Sequence, residues 1–232
     1  MEGTQGSLGA VAGVEPAYSH MGEEDAELFY ATINALLVYA NERLGVVDPA
    51  RLRPRAGSPL MLFENGGRVS EELWKRRWLV DDFVRENPFR LPERQLEVAR
   101  PWRFALRDMF CALAADADRA VYMNQDRIVI VGAMQDDADA HVHATPSLML
   151  LTLLPFRGGI VTDGKTLHLS PRPHAWALPE IAARARTLAQ RRPIVTADDL
   201  MAYARKIPDD EDRLTPHFGR AVAEAFASGA IA

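Results

Sequence analysis

Apolar residues recur at helical spacing over Phe29, Ile33, Leu36, Leu37, Ala40 and Leu44, which predicts a helix opening at the acidic run Glu23-Glu24-Asp25. Gly45 is the expected stop, with Asp48-Pro49 beyond it. Residues 1–22 show no period and are rich in Gly, Ala and Ser, so they read as a flexible tail. Residues 46–69 read as a loop, with room for one short strand at Leu60-Met61-Leu62-Phe63. Ser70 has the chemistry of an N-cap, and Glu71 and Glu72 suit a first turn. The helix it would open carries Leu73, Trp74, Trp78, Val80, Phe83 and Val84 and ends before Asn87-Pro88. Leu91-Pro92-Glu93 opens a short helix to about Val98. Pro101 opens another, with Trp102, Ala105, Leu106, Met109, Phe110 and Leu113 on one side.

Then the period changes. Ala120–Met123 and Ile128–Val131 are strand-like runs around the turn-prone Asn124-Gln125-Asp126. Leu148–Leu154 is continuously apolar, as a central strand is. Arg157-Gly158-Gly159 makes a turn, and Asp163-Gly164 between Ile160-Val161-Thr162 and Lys165-Thr166-Leu167 predicts a tight hairpin. Helical patterns return over Leu178–Gln190, from the cap Thr196 to about Lys206, and from Thr215-Pro216 to near Gly229. Helices, strands and helices in that order predict an α+β fold: a small antiparallel sheet of about four to five strands, flanked by N-terminal and C-terminal helices. The expected organisation is a tail over 1–22 and a single domain over 23–232, helical over 23–114, sheet over 119–170 and helical over 175–230.

Composition narrows the function classes. The 232 residues suffice for a core without staples, and 48% hydrophobic with 25% charged residues is ordinary for a globular chain. A net charge of −5, from 27 basic and 32 acidic residues, is not that of a general nucleic-acid binder. The single cysteine, Cys111, excludes an intrachain disulfide and suits a reducing cytoplasm. Its apolar neighbours on a predicted helix point to an inert core thiol. The opening residues are not those of a secretory signal, and the run from Leu148 to Phe156 is far short of the roughly 20 residues of a membrane helix.

Three groups of residues carry candidate chemistry. His141 and His143 would share one face of a strand and, with Asp139 and the nearby Asp136 and Asp137, could hold a divalent metal for a hydrolase or nuclease. The same residues also fit a solvated acidic loop. Lys75, Arg76 and Arg77 beside Trp74 and Trp78, together with Arg184 and Arg186, could form a phosphate-contacting surface. They also fit the polar faces of amphipathic helices. Asp163 stands at a strand end, but an Asp-Gly turn already accounts for it. No phosphate-binding glycine loop and no G-x-S-x-G elbow is present, so no cofactor is expected beyond a divalent metal at the histidine cluster, and the pattern identifies no catalytic residues.

Asn87-Pro88-Phe89-x-Leu91, together with Leu154-Pro155-Phe156-Arg157-Gly158-Gly159-Ile160-Val161-x-Asp163-Gly164, resembles a group of uncharacterised bacterial cytoplasmic proteins with N-P-F-x-L and L-P-F-x-G-x-I-x-x-D-G segments. Some members of that group end in a Cys/His-rich metal-binding tail of the SEC-C type. One cysteine cannot make such a tail, so no metal site is carried over. The resemblance covers roughly residues 87–165 and implies the small sheet, the hairpin and a bacterial origin. It implies no activity. The expectation is therefore a non-catalytic intracellular interaction or regulatory protein, with a protein partner or self-association and no membrane. The metal-dependent hydrolase and the nucleic-acid-associated protein stand as alternatives.

Overall fold

The computed structural model describes residues 11, 13–52, 63–142, 144–170, 173 and 175–209. Helix α1, Glu23–Leu44, begins on its three acidic residues and stops where Gly45 turns left-handed at φ 63°, its N–H returning to the Asn41 carbonyl. The Asn41 side chain then locks the exit by pairing with both the N–H and the carbonyl of Val47. Helix α2, Phe63–Lys75, is followed after a break at Arg76-Arg77 by α3, Trp78–Glu86, and by α4, Glu93–Ala99. Phe29, Ile33, Leu36 and Leu37 of α1 are buried among Leu73, Trp74, Leu79 and Phe83 of the neighbouring helices.

Six antiparallel strands follow: β1 Leu106–Ala115, β2 Arg119–Met123, β3 Ile128–Gly132, β4 Ser147–Phe156, β5 Gly159–Thr162 and β6 Leu167–Ser170. The order β3-β2-β1-β4-β5 places β1 in the middle with β4 beside it, and β6 also pairs with β4. The sheet curls until β3 approaches β5. Its inner face buries Phe110, Tyr122, Val129, Met149, Leu151 and Ile160. One end of the outer face, at Leu154, Phe156 and Val161, packs on the N-terminal helices. The other end, at Cys111, Val121, Met123 and Ile130, packs on Ala185 and Leu188 of α5, Leu178–Ala189. The last described helix, α6, Ala197–Ala204, carries a capping box in which Thr196 and Asp199 satisfy each other's backbone N–H groups.

The α+β class stands as the residue pattern implied, with three particulars changed. Residues 106–115 are strand β1 and not part of a helix, so the sheet begins before residue 119. Antiparallel partners on both sides, β2 and β4, outweigh a spacing that also fits a helix. Ser70 lies inside α2 and is no cap. Asp163-Gly164 is not a tight hairpin: β5 and β6 both pair with β4, and the two-residue turn is Arg157-Gly158, whose φ angles of 50° and 81° suit a type I′ turn.

Within the expected tail, Tyr18–Met21 lies against the sheet, His20 and Met21 donating their N–H groups to the carbonyls of Ala133 and Met134. The expected short strand at 60–63 falls largely outside the described residues, and the expected helix at 215–229 falls wholly outside them.

Candidate functional site

The link between β5 and β6 is fixed by a buried carboxylate. Asp163 is 2% exposed. Its Oδ2 accepts the Ser70 hydroxyl at 2.5 Å and the Trp74 indole N–H at 2.9 Å, while Oδ1 accepts the Lys165 N–H at 3.0 Å. The α2 helix presents Ser70 and Trp74 together because they are four residues apart. On the sheet Arg107, Thr152 and Asp163 form one cross-strand row, Arg107 pairing with Thr152 and the Asp163 N–H donating to the Thr152 carbonyl. Burial lowers the pKa of both Arg107 and Lys165. This polar row ties α2 to the sheet and sets where β6 starts.

From that anchor β6 runs along β4, with Leu167 opposite Leu150 and His168 opposite Met149. Among the described residues, no strand pairs with the outer edge of β6. Leu167 is 57% exposed and Leu169 is 44% exposed. The chain returns at Trp176 and Leu178, which are 63% and 39% exposed. Four of the six large hydrophobic side chains found exposed among the described residues thus fall between Leu167 and Leu178. Scattered single exposures are normal on a protein surface; a run beside an open strand edge is not.

A cleft of about 440 Å³ opens beside the β5–β6 segment. Thr162, Gly164, Thr166 and His168 line one side, Met134, Gln135, Asp136 and His141 the other, and Tyr30 of α1 contributes as well. Burial and the Asp136 charge hold the Tyr30 hydroxyl above its ordinary pKa. The acidic rim continues in Asp137 and Asp139, both exposed.

The chain matches no family model, no curated protein and no solved structure. Among the described residues, no helix is long and apolar enough to cross a membrane.

The residues singled out from sequence are distributed unevenly around this cleft. His141 lines it, 3.8 Å from Asp136, but sits on a 3-10 turn, Ala138–His141, and not on a strand. The preceding Asp136–Ala140 stretch is too polar to continue the sheet, and it curls back so that the Asp139 N–H meets the Asp116 carbonyl. Asp139 is not among the cleft-lining residues, and His143 lies outside the described residues. Among the described residues, no group of three or more His, Cys, Asp or Glu side chains stands close enough to hold a metal ion.

The cationic candidates have local partners. Lys75 pairs with Glu72 at 2.8 Å and Arg76 pairs with the same carboxylate at 2.7 Å. Arg77 is buried and donates to Asp209 and to the carbonyls of Ala105 and Ile207. Arg184 donates to the Gln125 carbonyl, and Arg186 is exposed on α5.

Sequence reasoning passed over His168, Leu167 and Leu169. Their alternation of apolar and polar residues was visible, but the hairpin reading assigned them no free edge. Tyr30 gave no signal, since it reaches the cleft only through the packing of α1 against the sheet.

Proposed function

We propose that this is a non-catalytic interaction protein of the cytoplasm that docks a protein partner along β6 and the start of α5. The single supporting observation is the exposed apolar run from Leu167 to Leu178 beside an edge that no described strand covers. The polar row beneath it favours binding over catalysis. Asp163 already accepts from three donors, and its role is to hold α2 and β6 in register. The cytoplasmic assignment rests on the single cysteine, which is buried in β1.

The test compares the wild-type chain with a Leu167→Asp/Leu169→Asp double variant as affinity baits in lysate of the source cells. Captured proteins are identified, purified and titrated against each bait. At least one purified partner should bind the wild type and bind the variant about tenfold more weakly. Both side chains are exposed, so the variant's melting temperature should be unchanged within the spread of surface substitutions. Equal binding to both baits, or no purified protein that binds, overturns the proposal. A dimer in sedimentation that the double variant splits would identify the partner as a second copy of the chain.

A further inference from the structure

Resting on the interaction reading, we infer that the partner is bound by strand addition: an extended segment with apolar side chains alternating with basic ones pairs with the open edge of β6. The backbone supplies the first reason. In a strand paired on one side only, alternate N–H and C=O groups point outward and wait for a partner. Among the described residues no strand pairs with that side of β6.

Space is the second reason. The cleft of about 440 Å³ is bordered by Thr166 and His168 and faced by Met134 and His141, so side chains of a segment added beside β6 have room there.

Side-chain chemistry sets the identity of the segment. Neighbouring strands present alternate residues to opposite faces, so the added segment meets two different surfaces. On the face it shares with Leu167 it finds exposed leucine side chain. On the face it shares with His168 it finds the cleft, whose rim carries Asp136, with Asp137 and Asp139 beside it on the same loop. Among the described residues none of these three carboxylates pairs with a Lys or Arg; the His141 ring stands 3.8 Å from Asp136. A segment with Lys or Arg at alternate positions supplies the missing charge, and an acidic segment would be repelled.

The experiment pans a random linear peptide library displayed on phage against the full chain, with Leu167→Asp/Leu169→Asp as the counter-target. Enriched sequences should alternate apolar residues with Lys or Arg. Their synthetic forms should bind more weakly at high salt and to an Asp136→Asn/Asp139→Asn variant. N-methylation of alternate backbone amides should weaken binding about tenfold, because it removes the ladder donors while leaving the side chains. Peptides that tolerate N-methylation overturn strand addition. Enriched sequences that are acidic or lack alternation overturn the assigned chemistry. No enrichment at all also overturns the inference. In each of these cases a purified partner that still depends on Leu167 and Leu169 leaves the interaction reading standing, so the two failures are distinguishable.

Discussion

The Trp74 indole N–H donates to Oδ2 of Asp163 at 2.9 Å, joining the C-terminal end of α2 to the β5–β6 link. Both residues are buried, Trp74 at 4% and Asp163 at 2% exposure, so neither group has water as an alternative partner. Ser70 donates to the same oxygen. Asp163→Ala should therefore strand two donors in the interior and lower the unfolding free energy by about 3 kcal/mol, a buried unsatisfied group costing roughly 1–3. Asp163→Asn keeps an acceptor in place and should cost about 1 kcal/mol. Urea denaturation of both variants measures the difference, and equal losses would show that the carboxylate's acceptors are not what holds α2.

Cys111 is 4% exposed on β1, and burial pushes its thiol pKa up to about 12. A raised pKa keeps the thiol protonated and poorly nucleophilic at neutral and mildly alkaline pH. Native protein at pH 8 should thus resist iodoacetamide for hours, and urea-unfolded protein should label fully within minutes. Rapid native labelling, read by intact mass, would refute the burial argument. The sign for stability follows from the same shift. The unfolded thiol ionises from about pH 8.5, so the contribution of Cys111 is intact below that pH and declines as pH rises towards the folded value.

Cys111 also shows where reading the chain succeeds and where it stops. An inert core thiol follows from apolar neighbours in either a helix or a strand, so that expectation survived although residues 106–115 are strand and not helix. Helices α1, α5 and α6 were legible because their stripes and caps are local: Gly45 stops the first and Thr196 starts the last. Strand β1 was not, because Leu106, Met109, Phe110 and Leu113 also fit a helical stripe. Only the pairing with β4, about forty residues away, decides between the two. Asp163-Gly164 followed local turn chemistry in part, since Gly164 has φ 74° and the Lys165 N–H returns to Asp163 Oδ1. What turned Asp163 into a buried anchor was Ser70 and Trp74, distant in sequence. That no described strand pairs with the outer side of β6 was hidden for the same reason, because an edge is defined by which strand fails to arrive.

Gly132 on β3 and Gly159 on β5 face Tyr18, which lies across the seam of the curled sheet. A Cβ on Gly132 would overlap the Tyr18 carbonyl, and one on Gly159 would meet Tyr18 Cβ at 2.5 Å. Gly132→Ala should therefore displace this segment and cost about 1–3 kcal/mol, as overpacking does. Tyr18 offers a specific readout. Burial, then its hydrogen bond to Asp25, holds its hydroxyl above the ordinary tyrosine pKa. In the wild type Tyr18 should stay protonated as pH passes about 10, and its contribution to stability is lost only as pH rises beyond that value. In Gly132→Ala one additional tyrosine should ionise near pH 10 in the ultraviolet titration. Gly158→Ala, with open space but φ 81°, should show local strain of about 1 kcal/mol and no change in that titration.

Arg77 separates a structural cation from a nucleic-acid contact. Its side chain is 7% exposed, and its guanidinium donates to Asp209 at 2.9 Å and to the carbonyls of Ala105 and Ile207 at 3.0 Å each. It thereby bridges the α2–α3 break, the entry to β1 and the chain beyond α6. Arg77→Ala should leave the Ala105 and Ile207 carbonyls without this donor, while Asp209 keeps Arg103, and should cost about 2 kcal/mol, a buried unsatisfied group costing roughly 1–3. Arg77→Lys should recover only part of this, since an ammonium cannot reproduce the planar fork that reaches three partners. Exposed Arg186→Ala should leave stability within about 0.5 kcal/mol. Retention on immobilised single-stranded DNA, compared at equal folded fraction, should be the same for wild type, Arg77→Ala and Arg186→Ala. A selective loss of retention in Arg186→Ala would instead mark α5 as a phosphate-contacting surface, whereas a loss confined to the unfolding curve of Arg77→Ala leaves the residue as the tie between helices and sheet.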